Sequence, residues 1–348
     1  MSMNTVFVIG AGASKEANLP IGNELKNKIS HLLNIKFNTL SELERGDSLI
    51  VDALRIFTRN SGDPDINSYI HEALHIKDAL PLAISIDNFI DAHRNNKKIE
   101  LCGKLAIVRS ILDAEVQSRL YFDMSHNQSN IVFSSLENTW YVPFFQLLTE
   151  NCEKNDLKKR FESVTLIIFN YDRCVEHFIY CALRNYYRIS ETEASELVKS
   201  INIYHPYGDV GTMPWINHNG AMDFGIKPDA QKLLELAQKI KTFTEGTDPS
   251  SSEILEIRKH MEKAKRVVFL GFAFHELNMQ LIDPGPSKNS SPYRNDVRCY
   301  ATTLDRSESD KKIIEGRIID LYRAKIPVTM INNSCSQFFK DFWLSLSF

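Results

Sequence analysis

Six cysteines are scattered at positions 102, 152, 174, 181, 299 and 335, and no two of them form a Cys-x-x-Cys pair. A structural zinc ribbon is thereby excluded, and in a reducing compartment such thiols are expected to be buried and inert. No apolar stretch comes near the roughly 18 residues that a membrane-spanning helix needs. Nor does an N-terminal apolar segment lead to a cleavage site, so the sequence predicts a cytoplasmic protein with no membrane partner. Neither sign of charge dominates: 41 Lys and Arg face 44 Asp and Glu, for a net charge of -3, with no basic stripe. Direct binding to nucleic acid is disfavoured on that count. Internal repeats and low-complexity tracts are absent too. What remains, 43% hydrophobic and 24% charged residues over 348 positions, is an ordinary globular composition, long enough for one large domain or two.

The most informative stretch is 5–22, TVFVIGAGASKEANLPIG. The apolar run Val6-Phe7-Val8-Ile9 reads as a buried strand, and it breaks at Gly10-Ala11-Gly12-Ala13-Ser14 before a helical pattern begins. Gly10 can take backbone angles closed to other residues, and Gly12 lets the main chain approach a pyrophosphate. Exposed amides and the positive end of a helix would face the anion. The turn therefore points to a nucleotide, and first to a dinucleotide. A dehydrogenase fingerprint is incomplete, because Lys15 stands at the third glycine position and no acidic residue closes a second strand after Asn34. The plainer alternative is a glycine turn that only packs.

Apolar residues at three- and four-residue spacing predict helices over 23–33, 40–57, 66–75, 86–95, 100–124 and 136–150, with Ser41 and Ser85 as caps. Strands are expected at 164–169, 201–204, 266–270, 297–303 and 327–331, separated by helices over 173–186, 190–200, 253–264 and 308–324. Loops are expected over 125–135, 246–252 and 283–295. Strands alternating with helices predict an α/β fold, a doubly wound parallel, Rossmann-like sheet with a large helical insertion. The core would comprise 1–35 and 160–348, and the insertion 36–159.

Ligands of open α/β sheets bind beyond the carboxyl ends of the strands. There the sequence places Asn170-Tyr171-Asp172-Arg173, His205-Pro206-Tyr207-Gly208, Gly271-Phe272-Ala273-Phe274-His275 and Asn332-Asn333-Ser334. Each has a plainer reading: Asn170 as a helix cap, His205 as a hydrogen-bonded turn residue, His177 and His275 as structural, Arg173 and Glu176 as a solvated helix face. The convergence on one edge is the stronger signal.

Taken together these residues resemble the sirtuin family, in particular its prokaryotic, zinc-free branch of NAD-cleaving antiphage defence proteins. The Gly-Ala-Gly-x-Ser turn is matched by residues 10–14 and its following proline by Pro20. The Gln-Asn-Ile-Asp element is matched by Phe169-Asn170-Tyr171-Asp172, and the catalytic His-Gly by His205-Pro206-Tyr207-Gly208. The resemblance implies that Gly271, Phe272 and Asn332 hold the adenosine half. It departs from the deacylases in lacking the zinc pairs, in having Ile21-Gly22-Asn23 after the proline, and in its 36–159 insertion. It implies an NAD+ glycohydrolase releasing nicotinamide and ADP-ribose, with NAD+ as substrate and no metal. Cleaving a bond to a cationic leaving group needs a held ribose and a positioned water. The expected roles are Asn170 on ribose and water, His205 as general base, and Asp172 on the carboxamide or the Asn170 loop. Ser14 and the amides of Ala11, Gly12 and Ala13 would take the pyrophosphate. Restraint of such an enzyme implies a homo-oligomer, or a separately encoded ATPase, Argonaute or nucleotide-sensing subunit. The rivals are a non-catalytic NAD or ADP-ribose module, a zinc-free deacylase or ADP-ribosyltransferase and, more remotely, a dehydrogenase.

Overall fold

Thr5–Ile9 (β1), Val164–Ile168 (β4) and Arg266–Leu270 (β6) are buried at every position, as expected of strands covered on both faces. Asn202–Tyr204 (β5), Arg298–Thr302 (β7) and Val328–Ile331 (β8) complete one sheet in the order β5-β4-β1-β6-β7-β8. All five pairings are parallel. Counted within this sheet alone, the strands run 3-2-1-4-5-6, the doubly wound order of dinucleotide-binding folds. The order in which strands are added reverses between β1 and β6, so the crevice that favours ligands opens beyond Ile9 and Leu270. The computed structural model describes residues 4–62, 65–123, 130–217, 221–242, 251–285, 297–323 and 326–348. The loops expected over 125–135, 246–252 and 283–295 fall partly or mostly outside these residues.

Successive side chains of β1 alternate between two cores. Val6 and Val8 join one cluster with Ile167, Val267 and Phe269, while Phe7 and Ile9 join another with Leu166, Ile168 and Leu270. The chain between β1 and β4 contributes to both. Ile50, Leu54, Ile76 and Leu105 pack in the first, and Trp140, Phe144 and Phe161 in the second. The long helix Lys97–Val116 passes from one core to the other, with Leu112 in the first and Ala114 in the second. Its last turn reaches the carboxyl edge of the sheet.

One expected helix starts in the wrong place. Residues 36–45 form a small antiparallel hairpin of Lys36–Phe37 (β2) and Leu43–Arg45 (β3), and the helix begins later, at Ser48–Ser61. Asn38 Oδ1 accepts from the amides of both Leu40 and Glu42 at 2.9 Å, and this side-chain turn displaces the helical alternative. Ser41 lies in that turn with φ 63°, and the cap is instead Asp47, which accepts from Ile50 N at 2.9 Å. Among the described residues, helices that were not expected include Leu157–Glu162, Ala230–Lys239, Glu276–Ile282 and Cys335–Asp341. Among the described residues, no helix is long and apolar enough to cross a membrane.

Candidate active site

At the end of β1 the glycines are required by the protein itself. Gly10 N–H donates to Leu270 O at 2.9 Å and Gly12 N–H to Gly271 O at 3.0 Å, so the loops after β1 and β6 lie against each other. A Cβ on Gly10 would stand 2.6 Å from Gly271 O, and one on Gly12 2.7 Å from the same atom. Gly271 has φ +54°, and a Cβ there would overlap the backbone of Gly12 and Ala13. Only glycine fits at all three positions. Ala13 N–H donates to Gly10 O at 3.0 Å, so two of the amides expected to face a pyrophosphate, those of Gly12 and Ala13, already have acceptors in the chain. The turn is braced from behind by Trp140, whose Nε1–H donates to Ala13 O at 2.9 Å. Glu16 accepts from the amides of Trp140 at 2.7 Å and Ser336 at 3.0 Å.

Ser14, Asn170 and Asp172 form one buried chain of hydrogen bonds. Ser14 Oγ–H donates to Asp172 Oδ2 at 2.7 Å and accepts from Asn170 Nδ2 at 2.8 Å. The other Asp172 oxygen accepts from Cys174 N at 3.1 Å, at the start of the helix Cys174–Tyr187. Burial pushes the Asp172 carboxyl above its ordinary range, against the pull of its Ser14 and Cys174 bonds. Because the single Ser14 proton goes to Asp172, Ser14 can only accept from Asn170, and this fixes the amide with Oδ1 turned away. Asn170 Oδ1 is buried and has no partner. Ser14 and Asp172 thus orient Asn170, which stands two residues beyond β4.

His205 follows β5 directly and bridges two strand ends. Its Nδ1 lies 3.2 Å from Asn170 O, and its Nε2 lies 2.5 Å from Glu176 Oε1. A carbonyl and a carboxylate only accept, so both ring nitrogens donate and the ring is an imidazolium. Burial pulls this imidazole down, but the Glu176 carboxylate outweighs it and raises the pKa from 6.5 to about 9, with a lesser push from Asp209. Held in this way, His205 has no lone pair for the base role expected of it. It serves as a cationic strut between the loops after β4 and β5. Glu176 is 6% exposed, and its second oxygen, Oε2, is buried without a partner.

The solvated helix face expected of Arg173 and Glu176 is not found. Arg173 is 1% exposed, with its guanidinium on both oxygens of Glu115, at 3.0 and 2.6 Å. It also donates to Gly211 O at 2.9 Å and Met222 O at 2.5 Å. Glu115 comes from the last turn of Lys97–Val116, so the segment between β1 and β4 reaches into the site's support. The structural reading of His177 agrees with its surroundings: it stacks on Phe224 at 4.0 Å and lies 3.2 Å from Leu120 O, and burial drives its pKa down to about 3. Spacing alone gave no signal for Glu115. For Glu176 the signal was its place one helical turn after Asp172, on the helix that leaves the site.

The remaining expected residues are spread out. Gly208, φ +76°, closes the turn after His205, its N–H donating to His205 O at 2.8 Å. Pro20 is buried just ahead of the helix Gly22–Leu32. The Phe272 ring is buried among Phe169, Phe269 and Phe274. Asn332 follows β8, three strands from β1, and its side chain accepts from Asp305 N at 2.9 Å. The structure therefore brings together Ser14, Asn170, Asp172 and His205, adds Glu176, and leaves Asn332 apart. Among the described residues no group of His, Cys, Asp or Glu is arranged to hold a metal ion. No protein-family model matches the chain, and no curated protein is significantly similar to it.

Proposed function

We propose that this chain is an NAD+ glycohydrolase that cleaves the nicotinamide–ribose bond to give nicotinamide and ADP-ribose. The observation that carries the reading is the Asn170 amide, locked by Ser14 and Asp172 at the carboxyl edge of a doubly wound sheet, with Oδ1 buried and unpartnered. A buried acceptor without a partner carries a desolvation cost of about 1–3 kcal/mol, which a ligand hydroxyl would relieve. An amide so held can receive a ribose hydroxyl or the attacking water without reorganising, and such preorganisation is what an oxocarbenium-like step requires. The strand order supports the same placement, with the nicotinamide half toward β4 and β5 and the adenosine half toward β6. The motifs shared with zinc-free sirtuin-like defence proteins extend the proposal to NAD depletion during phage infection. Restraint would then come from self-association or from a separately encoded sensor.

A second reading, a non-catalytic NAD or ADP-ribose module, is favoured by one feature: the Gly12 and Ala13 amides already donate within the chain. Purified protein incubated with NAD+ and followed by chromatography separates the two. The hydrolase reading expects nicotinamide and ADP-ribose, lost in Asn170→Ala and His205→Ala. NAD+ left intact while bound at saturation would establish the module instead, and an absence of binding would overturn both.

A further inference from the structure

We propose that Glu176 is a catalytic carboxylate of this site, taking the proton of the water that attacks the ribose. The inference rests on the glycohydrolase reading and assigns it a base. Three acidic or basic side chains are linked to Asn170, Asp172 through Ser14, His205 directly and Glu176 through His205, and in two of them every polar side-chain atom already has a partner. Asp172 accepts from Ser14 on one oxygen and from Cys174 N on the other. His205 donates from both ring nitrogens, to Asn170 O and to Glu176 Oε1. Glu176 alone of the three has an oxygen with no partner, Oε2, and that atom is buried. Arg173, the cation whose charge also bears on Glu176, is occupied by Glu115 and does not take that oxygen.

The two unpartnered acceptors of the cluster, Asn170 Oδ1 and Glu176 Oε2, belong to residues joined by one imidazole ring. Two unpartnered acceptors are complementary to a ligand that brings O–H donors, as a water and a ribose hydroxyl do. The balance of the step is simple. The C1′–N1 bond breaks and its electron pair passes to the pyridinium nitrogen, releasing neutral nicotinamide. The water oxygen bonds to C1′, and its proton moves to Glu176 Oε2 and then to solvent, so one proton is released per NAD+. His205 remains protonated throughout and is a positioning residue, holding the carboxylate by its other oxygen.

Glu176→Gln keeps a carbonyl for the His205 Nε2–H and removes the base. The expected result is a loss of about 10²- to 10⁴-fold in kcat, the usual contribution of a general base, with NAD+ still bound. Azide is a nucleophile that needs no deprotonation, so adding it to Glu176→Ala is expected to restore nicotinamide release and to give an ADP-ribosyl azide. No such rescue is expected for Asn170→Ala. Parental turnover in Glu176→Gln would overturn the proposal. So would a Glu176→Ala variant that binds NAD+ yet stays inactive with azide. A parent protein that neither binds nor cleaves NAD+ would instead remove the glycohydrolase reading itself.

Discussion

Two buried charge pairs begin within three residues of each other, and their difference separates scaffold from chemistry. Arg173 and Glu115 close on themselves: Arg173 Nε and Nη2 donate to the carboxylate, Nη1 donates to two main-chain carbonyls, and Gly225 N–H donates to Glu115 Oε2 at 3.1 Å. His205 and Glu176 leave one carboxylate oxygen unmet. Both pairs are buried and both join segments far apart in sequence, so burial alone does not distinguish them. What distinguishes them is whether the protein completes its own hydrogen bonds. A closed network fixes a loop, whereas an open one is incomplete until a ligand arrives.

The largest expected effect is on the closed pair. Glu115→Ala leaves the Arg173 guanidinium buried and unpaired, and the loss should be about 3–5 kcal/mol, measured as a shift in the urea midpoint. Glu176→Gln, which keeps a neutral acceptor for His205, should cost only about 1 kcal/mol. Equal losses in the two variants would erase the distinction between the pairs.

The pH dependence of stability comes next in size and again tells the pairs apart. The folded pKa of His205 is raised to about 9 from the ordinary 6.5. Its contribution is therefore fully present below pH 6.5 and lost as pH rises through about 9. The guanidinium of Arg173 stays charged over that range and adds no slope. Urea midpoints taken across the window should fall with pH for the parent and flatten in Glu176→Gln. An unchanged slope in the variant would show that Glu176 is not what holds the proton.

The sheet was legible because β1, β4 and β6 are short apolar β-branched runs ended by glycine or asparagine, and burial on both faces leaves such runs few alternatives. The hairpin at 36–45 was not legible, because its turn is made by one side chain, Asn38, inside a pattern with helical spacing. The helix Ala230–Lys239 carried readable signs, Asp229 as cap and Leu233, Leu234, Leu236 and Ala237 on its buried side. It was masked by the irregular stretch before it. Of the candidate site, Ser14, Asn170, Asp172 and His205 could be named from their places after strands. The state of His205 could not, since it depends on Glu176 and on the carbonyl of Asn170, contacts that exist only once β4 and β5 are side by side. Arg173 and Glu115 are 58 residues apart in sequence, and nothing local announces their pairing.

The smallest expected effect concerns Lys15, where a dehydrogenase would carry its third glycine. Lys15 is half exposed and pairs with an equally exposed Glu24. Exposed pairs of this kind contribute about 0–1 kcal/mol, so Lys15→Ala should leave the urea midpoint almost unmoved. Its neighbour Glu16 turns inward, and burial raises its carboxyl pKa, against the pull of the Ser336 and Trp140 amides that it accepts from. Those amides lie at the starts of Tyr141–Thr149 and Cys335–Asp341, so the first loop is fastened through Glu16 to two helices. Glu16→Ala removes an acceptor shared by two amides and should cost about 2–3 kcal/mol, well above the change at Lys15. If Lys15→Ala were the more damaging of the two, the ammonium would have to be contacting the described turn in some way other than its pair with Glu24. The loop after β1 would then be held from its solvent side, and the account of it as a turn braced from within by Trp140 and Glu16 would fail.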